Sequence, residues 1–161
     1  VIDSILVVCV GNICRSPIGE RLLRKKIITA NSDKTLRHKA IRLGSAGIGA
    51  LVGEPADPMV CKIAATDGLD MEDHVAQQFT PEMGKAYSLL LVMETGHRKH
   101  ISRMAPELSG RIMLFDHWTG ARGIPDPYRQ SCEFHETVYR RIEEAATAWA
   151  SKLTARKEHR A

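Results

Sequence analysis

One stretch near the amino terminus, Cys9-Val10-Gly11-Asn12-Ile13-Cys14-Arg15-Ser16-Pro17, combines a nucleophile, a cation and a hydroxyl at a spacing suited to phosphorus chemistry. A thiolate is a strong nucleophile, and thiolates are favoured at helix starts beside arginine. Arg15 carries a planar fork of donors that fits two phosphate oxygens at once. Ser16 offers a hydroxyl that can hydrogen-bond the thiolate, holding its charge and easing its later departure from phosphorus. Gly11 lets the backbone approach a ligand, and Asn12 tolerates left-handed φ while its side chain ties a loop together. A lone cysteine is most often a buried structural residue. The combination with Arg15 and Ser16 is what points to chemistry. A second stretch, Ile124-Pro125-Asp126-Pro127-Tyr128, supplies the missing proton. Cleavage of a phosphate ester by a thiolate needs an acid for the leaving oxygen. Asp126, held between two prolines in a stiff turn, is the candidate, and Tyr128 could line the slot and stack on a ring.

The elements around these stretches must bring them together. Ile5-Leu6-Val7-Val8 reads as a buried strand, and apolar residues at 18, 22, 23 and 27 fall on one helix face. Cys9 therefore closes a strand, and a tight loop leads into a helix whose first turn accommodates Pro17. Such a turn makes an anion site, because the unpaired N–H groups of the helix start and the loop converge on one spot. Further on, Ala40–Gly44 reads as a second strand and Ser45–Gly53 as a glycine-rich loop. Asp57-Pro58 and Thr80-Pro81 each start a helix by cap-and-proline logic. Ser88–Met93 is a continuous apolar run expected to be a central strand, Thr95–Met104 a helix, Arg111–Phe115 the fourth strand, and Ser131–Leu153 a long final helix with its apolar stripe on the core. Strands alternating with helices imply right-handed crossovers and a parallel sheet, with chemistry at the carboxyl ends of the strands. The expected architecture is a single α/β domain over 1–153, a four-stranded parallel sheet with helices on both faces, and a polar basic tail at 154–161. The polar stretch Thr29–Lys39 reads as a connection.

The stretch Cys9–Pro17 resembles the phosphate-binding loop of the low-molecular-weight protein tyrosine phosphatases, C-x5-R-[ST], and matches the long form of that signature. The resemblance extends to Ser45-Ala46-Gly47, Gly49–Gly53, Ala56-Asp57-Pro58, His117-Trp118 and Ile124–Tyr128, nearly the whole chain in order. It is strongest to bacterial members that act opposite tyrosine autokinases of capsule and exopolysaccharide export. The resemblance implies a phosphotyrosine protein as substrate, such an autokinase among the candidates. It also implies catalytic roles for Cys9, Arg15 and Asp126, and loop or phosphate-binding roles for Val10, Gly11, Asn12, Ile13, Cys14 and Ser16. His74 would support Asn12, and Leu51 would stand in the slot wall where many relatives place an aromatic residue. Where many relatives carry a second tyrosine after Tyr128 this chain has Arg129, which can attract acidic residues beside the target. Cys14 could form a protective disulfide with Cys9 on oxidation. The rivals are an arsenate reductase of the same fold, a phosphoarginine phosphatase and a non-catalytic phosphoprotein-binding module. The cysteine pair that such reductases carry around positions 80–95 is missing. Such arginine-directed relatives carry threonine where this chain has Ile13. A binding module would not need Cys9 and Asp126 together.

Composition narrows the partners. A chain of 161 residues is long enough for one domain with its own core. The net charge of +4 suits an anionic substrate, but the basic residues are dispersed and aromatics are only 5%, which argues against nucleic acid. There is no apolar leader and no spanning run, so membrane insertion is not expected. The four cysteines form no C-x-x-C pair, which suits reduced thiols in the cytoplasm. A monomer needing no cofactor or metal is expected. His97 and His100 share a helix face, but no third ligand lies near them in sequence. Gly47-x-Gly49 lacks the third glycine of a dinucleotide fingerprint, since Val52 occupies that spacing.

Overall fold

A computed structural model describes residues 1–31 and 40–155. Four parallel strands lie in the order β2-β1-β3-β4: β1 Ser4–Cys9, β2 Arg42–Gly47, β3 Leu89–Val92 and β4 Ile112–Leu114. The helices are α1 Arg15–Ala30, α2 Pro58–Thr66, α3 Pro81–Lys85, α4 Thr95–Met104 and α5 Cys132–Thr154, with a 3₁₀ turn at Pro106–Arg111. The expected four-stranded parallel sheet is what forms.

Successive residues of β1 point to opposite faces. Ile5, Val7 and Cys9 pack with α1, α2 and α5, while Leu6 and Val8 pack with Ile101 of α4 and Leu108 of the 3₁₀ turn. Both faces are covered, so β3 and, after Ser4, β1 are apolar, as expected of buried parallel strands. The caps form as their sequences predict. Asp57 accepts from the Met59 N–H at 2.8 Å, Thr80 from Met83 at 3.2 Å and Ser131 from Phe134 at 3.1 Å. Trp149 anchors α5 by donating its indole N–H to the Phe115 carbonyl at 2.7 Å.

Strands β3 and β4 and helix α5 fall within a residue of the expected bounds, whereas α1, β2 and the 3₁₀ turn depart further from the sequence reading. Helix α1 begins at Arg15, so the arginine belongs to the helix rather than to the loop. Strand β2 starts at Arg42 and runs through Ser45-Ala46-Gly47, because pairing with β1 continues to the Cys9–Gly47 register. The 3₁₀ turn has no apolar periodicity to reveal it, and Leu108 alone carries its burial. Residues 32–39 of the connection and the tail from 156 onward lie outside the described residues.

Candidate active site

Cys9 is the last residue of β1, and the loop after it curls so that its carbonyls face outward. Each finds a donor: Cys9 O accepts from Ile48 N, Val10 O from Gly49 N and Gly11 O from Leu51 N, all at 3.0 Å, and Ile13 O accepts from Asp57 N at 2.9 Å. The Asn12 carbonyl accepts from His74 Nε2 at 2.6 Å. With the carbonyls turned out, the N–H groups turn in. Among the described residues, no protein acceptor is found for the N–H groups of Gly11 through Arg15. A ring of inward N–H groups at a helix start is an anion cradle.

Asn12 holds the loop in this curl. It is buried and has φ 57°, a left-handed conformation that asparagine tolerates. Its Nδ2 donates to Ser16 Oγ at 2.7 Å and to Ser45 Oγ at 3.0 Å, and its Oδ1 accepts from the Gln77 N–H at 3.0 Å. Ser16 Oγ, having accepted from Asn12, keeps its own hydrogen for Cys9 Sγ at 2.9 Å; the alternative acceptor, the Ala46 carbonyl, lies at 3.4 Å. Gly47 lets β2 lie against the loop, since a Cβ there would stand 2.3 Å from the Val10 carbonyl oxygen.

Arg15 joins the two chemical stretches. It is 1% exposed, and its Nη1 donates to Glu94 Oε2 and to the Ile124 carbonyl, both at 2.8 Å. Its Nη2 lies 3.7 Å from Asp126 Oδ2. Asp126 Oδ1 accepts from the Tyr128 N–H at 3.0 Å, which fixes the carboxyl within its turn, and the Ile124 N–H is pinned on the Met93 carbonyl at 2.8 Å.

A slot of about 140 Å³ gathers the predicted residues. Cys9, Arg15 and Asp126 line it with Val10, Gly11, Ile13 and Cys14 of the loop, and Leu51 and Tyr128 stand at its exposed rim. Asn12, Ser16 and His74 lie behind the lining as its support. Cys14 remains a thiol, because burial, then Asp57 and Cys9, push its pKa far up. Arg129 lies with its guanidinium 5.1 Å from the centre of the Tyr128 ring. His97 and His100 diverge: His97 is buried and bonds Glu94 Oε2 at 3.1 Å, whereas His100 is exposed. Among the described residues, no group of three or more metal-ligating side chains occurs.

Sequence reasoning missed four supports: Glu94, Ser45, Gln77 and the Ile124 carbonyl. A carboxylate at the end of the apolar β3 run was the one available signal, since a charge there must meet a partner.

Residues 4–159 match the family model for low molecular weight phosphotyrosine protein phosphatase. The chain is 43% identical over 153 residues to the low molecular weight protein-tyrosine-phosphatase Wzb of Salmonella typhimurium, covering 95% of each. Its fold is similar to that of the tyrosine phosphatase Wzb from Escherichia coli K30 in complex with sulphate, at 46% identity and a TM-score of 0.86 over 95% of this chain and 99% of that one. It is also similar to Vibrio vulnificus Wzb in complex with benzylphosphonate, at 46% identity and a TM-score of 0.84 over 94% and 99%. No described helix is long and apolar enough to cross a membrane. With the loop, the slot and the match all running through the same residues, the chain belongs to the low molecular weight phosphotyrosine protein phosphatases.

Proposed function

We propose that this protein hydrolyses phosphotyrosine in proteins through a covalent cysteinyl-phosphate. The observation that carries the reading is the cradle itself: loop carbonyls satisfied from outside, inward N–H groups, and Cys9 Sγ beneath them. Relatives named Wzb bind sulphate and benzylphosphonate, a tetrahedral oxyanion and a phosphonate bearing a benzyl arm. The slot here has the same chemical halves, an anion cradle and an apolar wall of Ile13, Leu51 and Tyr128.

In the first step Cys9 Sγ attacks phosphorus and the bond to the tyrosyl oxygen breaks. The loop N–H groups and Arg15 hold the equatorial oxygens as charge develops on them. Asp126 gives its proton to the tyrosyl oxygen. In the second step water attacks the cysteinyl-phosphate, Asp126 takes the water's proton, and the S–P bond breaks to release inorganic phosphate. Ser16 steadies the departing thiolate. The guanidinium and backbone supply the positive field in both steps, so the reaction runs without a metal. The proposed setting is the cytoplasm, which suits a reduced nucleophile, and a tyrosine autokinase of capsule or exopolysaccharide export is the proposed protein substrate.

The test is phosphate release from phosphotyrosine, phosphoserine and phosphoarginine peptides with chelator present, for wild type and Cys9→Ser. Release from phosphotyrosine alone, lost in Cys9→Ser while phosphate binding persists, is expected. Substantial turnover by Cys9→Ser would refute the nucleophile, and preference for phosphoarginine would refute the substrate class. An autophosphorylated capsule kinase that keeps its phosphate on incubation with the enzyme would refute the partner.

A further inference from the structure

A second cavity, about 560 Å³ and polar, adjoins the slot. It is lined by Glu94, Thr119, Arg122, Pro125 and Arg141, among others. The two share no lining residue, but residues of one are tied to residues of the other. Pro125 directly precedes Asp126, and the Glu94 carboxylate holds Arg15.

The cavity's charges are unequal in how well they are paired. Glu94 Oε2 is met by Arg15 at 2.8 Å and His97 at 3.1 Å. Asp116, 3% exposed, accepts the Arg122 and Gly123 N–H groups on Oδ2, both at 3.1 Å. Arg141 spends one Nη2 donor on the Gly123 carbonyl at 2.5 Å and lies 3.8 Å from Asp116 Oδ2, which leaves its other edge uncommitted. Among the described residues, no hydrogen bond or ion pair to the Arg122 guanidinium is found, and Arg122 is exposed. The turn that presents it is hydrogen-bonded: the Asp116 carbonyl accepts from the Thr119 and Ala121 N–H groups, and Ala121 and Gly123 have φ values of 54° and 86°. An unpaired guanidinium lining a polar cavity, with a second arginine beside it, suits a planar or tetrahedral oxyanion.

We infer that this cavity, juxtaposed to the slot across Glu94 and Pro125, is a subsite for an anionic side chain of the substrate beside its phosphotyrosine. The inference rests on the phosphatase reading above. The anion is a carboxylate or a phosphate, which share this recognition chemistry.

The experiment measures kcat/KM for wild type, Arg122→Glu and Arg129→Ala on three phosphotyrosine peptides that differ only in one neighbour: Gln, Glu or phosphoserine. p-Nitrophenyl phosphate, which has no neighbour, serves as the reference substrate. Wild type should favour the anionic peptides over the Gln peptide by about tenfold at low salt, with the preference shrinking as salt rises. Arg122→Glu should erase or invert that preference and leave p-nitrophenyl phosphate turnover within about twofold. Arg129→Ala should keep it. A gain with phosphoserine but not Glu would assign the subsite to phosphate, and equal gains to either source. Equal kcat/KM for all three peptides in wild type would overturn the subsite, as would loss of the preference in Arg129→Ala with retention in Arg122→Glu. Failure on p-nitrophenyl phosphate as well would instead overturn the phosphatase reading beneath it.

Discussion

Replacing Gly47 by alanine should cost catalysis more than it costs the fold. The new Cβ would stand 2.3 Å from the Val10 carbonyl oxygen, 3.0 Å from the Asn12 nitrogen and 3.1 Å from the Asn12 Cβ. Side-chain β-carbons essentially never approach below 3.0 Å, so the Val10 carbonyl must move by about 0.7 Å or more. That carbonyl is backbone, fixed by Gly49 N at 3.0 Å, and cannot swing aside as a side-chain end would. The displacement therefore passes into the cradle. A misplacement near 1 Å at reacting groups costs roughly 10²-fold in rate, equivalent to about 2.7 kcal/mol of transition-state stabilisation. The overpacking itself should lower stability by about 1–3 kcal/mol. The assay is kcat and KM on p-nitrophenyl phosphate, inorganic phosphate inhibition, and a thermal melt. Gly49→Ala is the matched control, because its Cβ would meet only Val10 Cγ1 at 3.7 Å, an ordinary contact. A folded Gly47→Ala enzyme within threefold of wild type would refute the claim that this close approach shapes the cradle.

Asp126→Asn should reduce kcat for phosphotyrosine by about 10²–10⁴-fold, the range for losing a general acid, and much less for esters with good leaving groups; equal loss across leaving groups would remove the acid role. His97 should make stability fall in mild acid. Burial and then Arg15 lower its pKa below the ordinary 6.5, with His100 adding to the effect and Glu94 and Asp126 opposing it. The unfolded chain then binds the proton that the folded chain refuses, so stability drops as pH falls below about 6.5, with a slope of at most about 1.4 kcal/mol per pH unit for one proton. His97→Gln, which keeps a donor for Glu94, should flatten that acid limb in melts taken across pH; an unchanged slope would refute the assignment.

The fold was legible where local pattern and tertiary demand agree. Helix α4 coincides with the expected Thr95–Met104, since Pro106 stops it. Asp57-Pro58 and Thr80-Pro81 start helices because cap and proline act within a few residues. Cys9–Ser16 was legible as a candidate site because its residues are contiguous. What escaped depends on residues far apart in sequence. Ser45-Ala46-Gly47 has no strand propensity of its own and is held extended by β1. Gln77 is an ordinary polar residue until the fold brings its N–H to Asn12 Oδ1, 65 positions away. Glu94 gains its meaning only from Arg15, 79 positions away. Arg129 was read as a magnet for acidic residues, but its position over the Tyr128 ring and the exposed Arg122 beside the second cavity shift that role to Arg122 in our proposal.

In the proposed mechanism the geometry of Arg15 gives a reason for arginine at this position. Its positioning contacts use one nitrogen: Nη1 serves both Glu94 and the Ile124 carbonyl. The donors on Nη2, which lies 3.7 Å from Asp126 Oδ2, and on Nε serve the oxygens of a bound phosphoryl group in that proposed mechanism. One guanidinium thus does two things at once, because its donors diverge in a fixed plane. It ties the Asp126 loop to the cradle through Ile124, two residues before Asp126, and it lines the slot with Cys9. A lysine has a single nitrogen and could not hold Glu94, Ile124 and substrate oxygens in fixed directions. Arg15 thus spans both loops, alongside the Ile124 N–H bond to the Met93 carbonyl, so losing the Glu94 contact should loosen the Asp126 turn as well as the cradle.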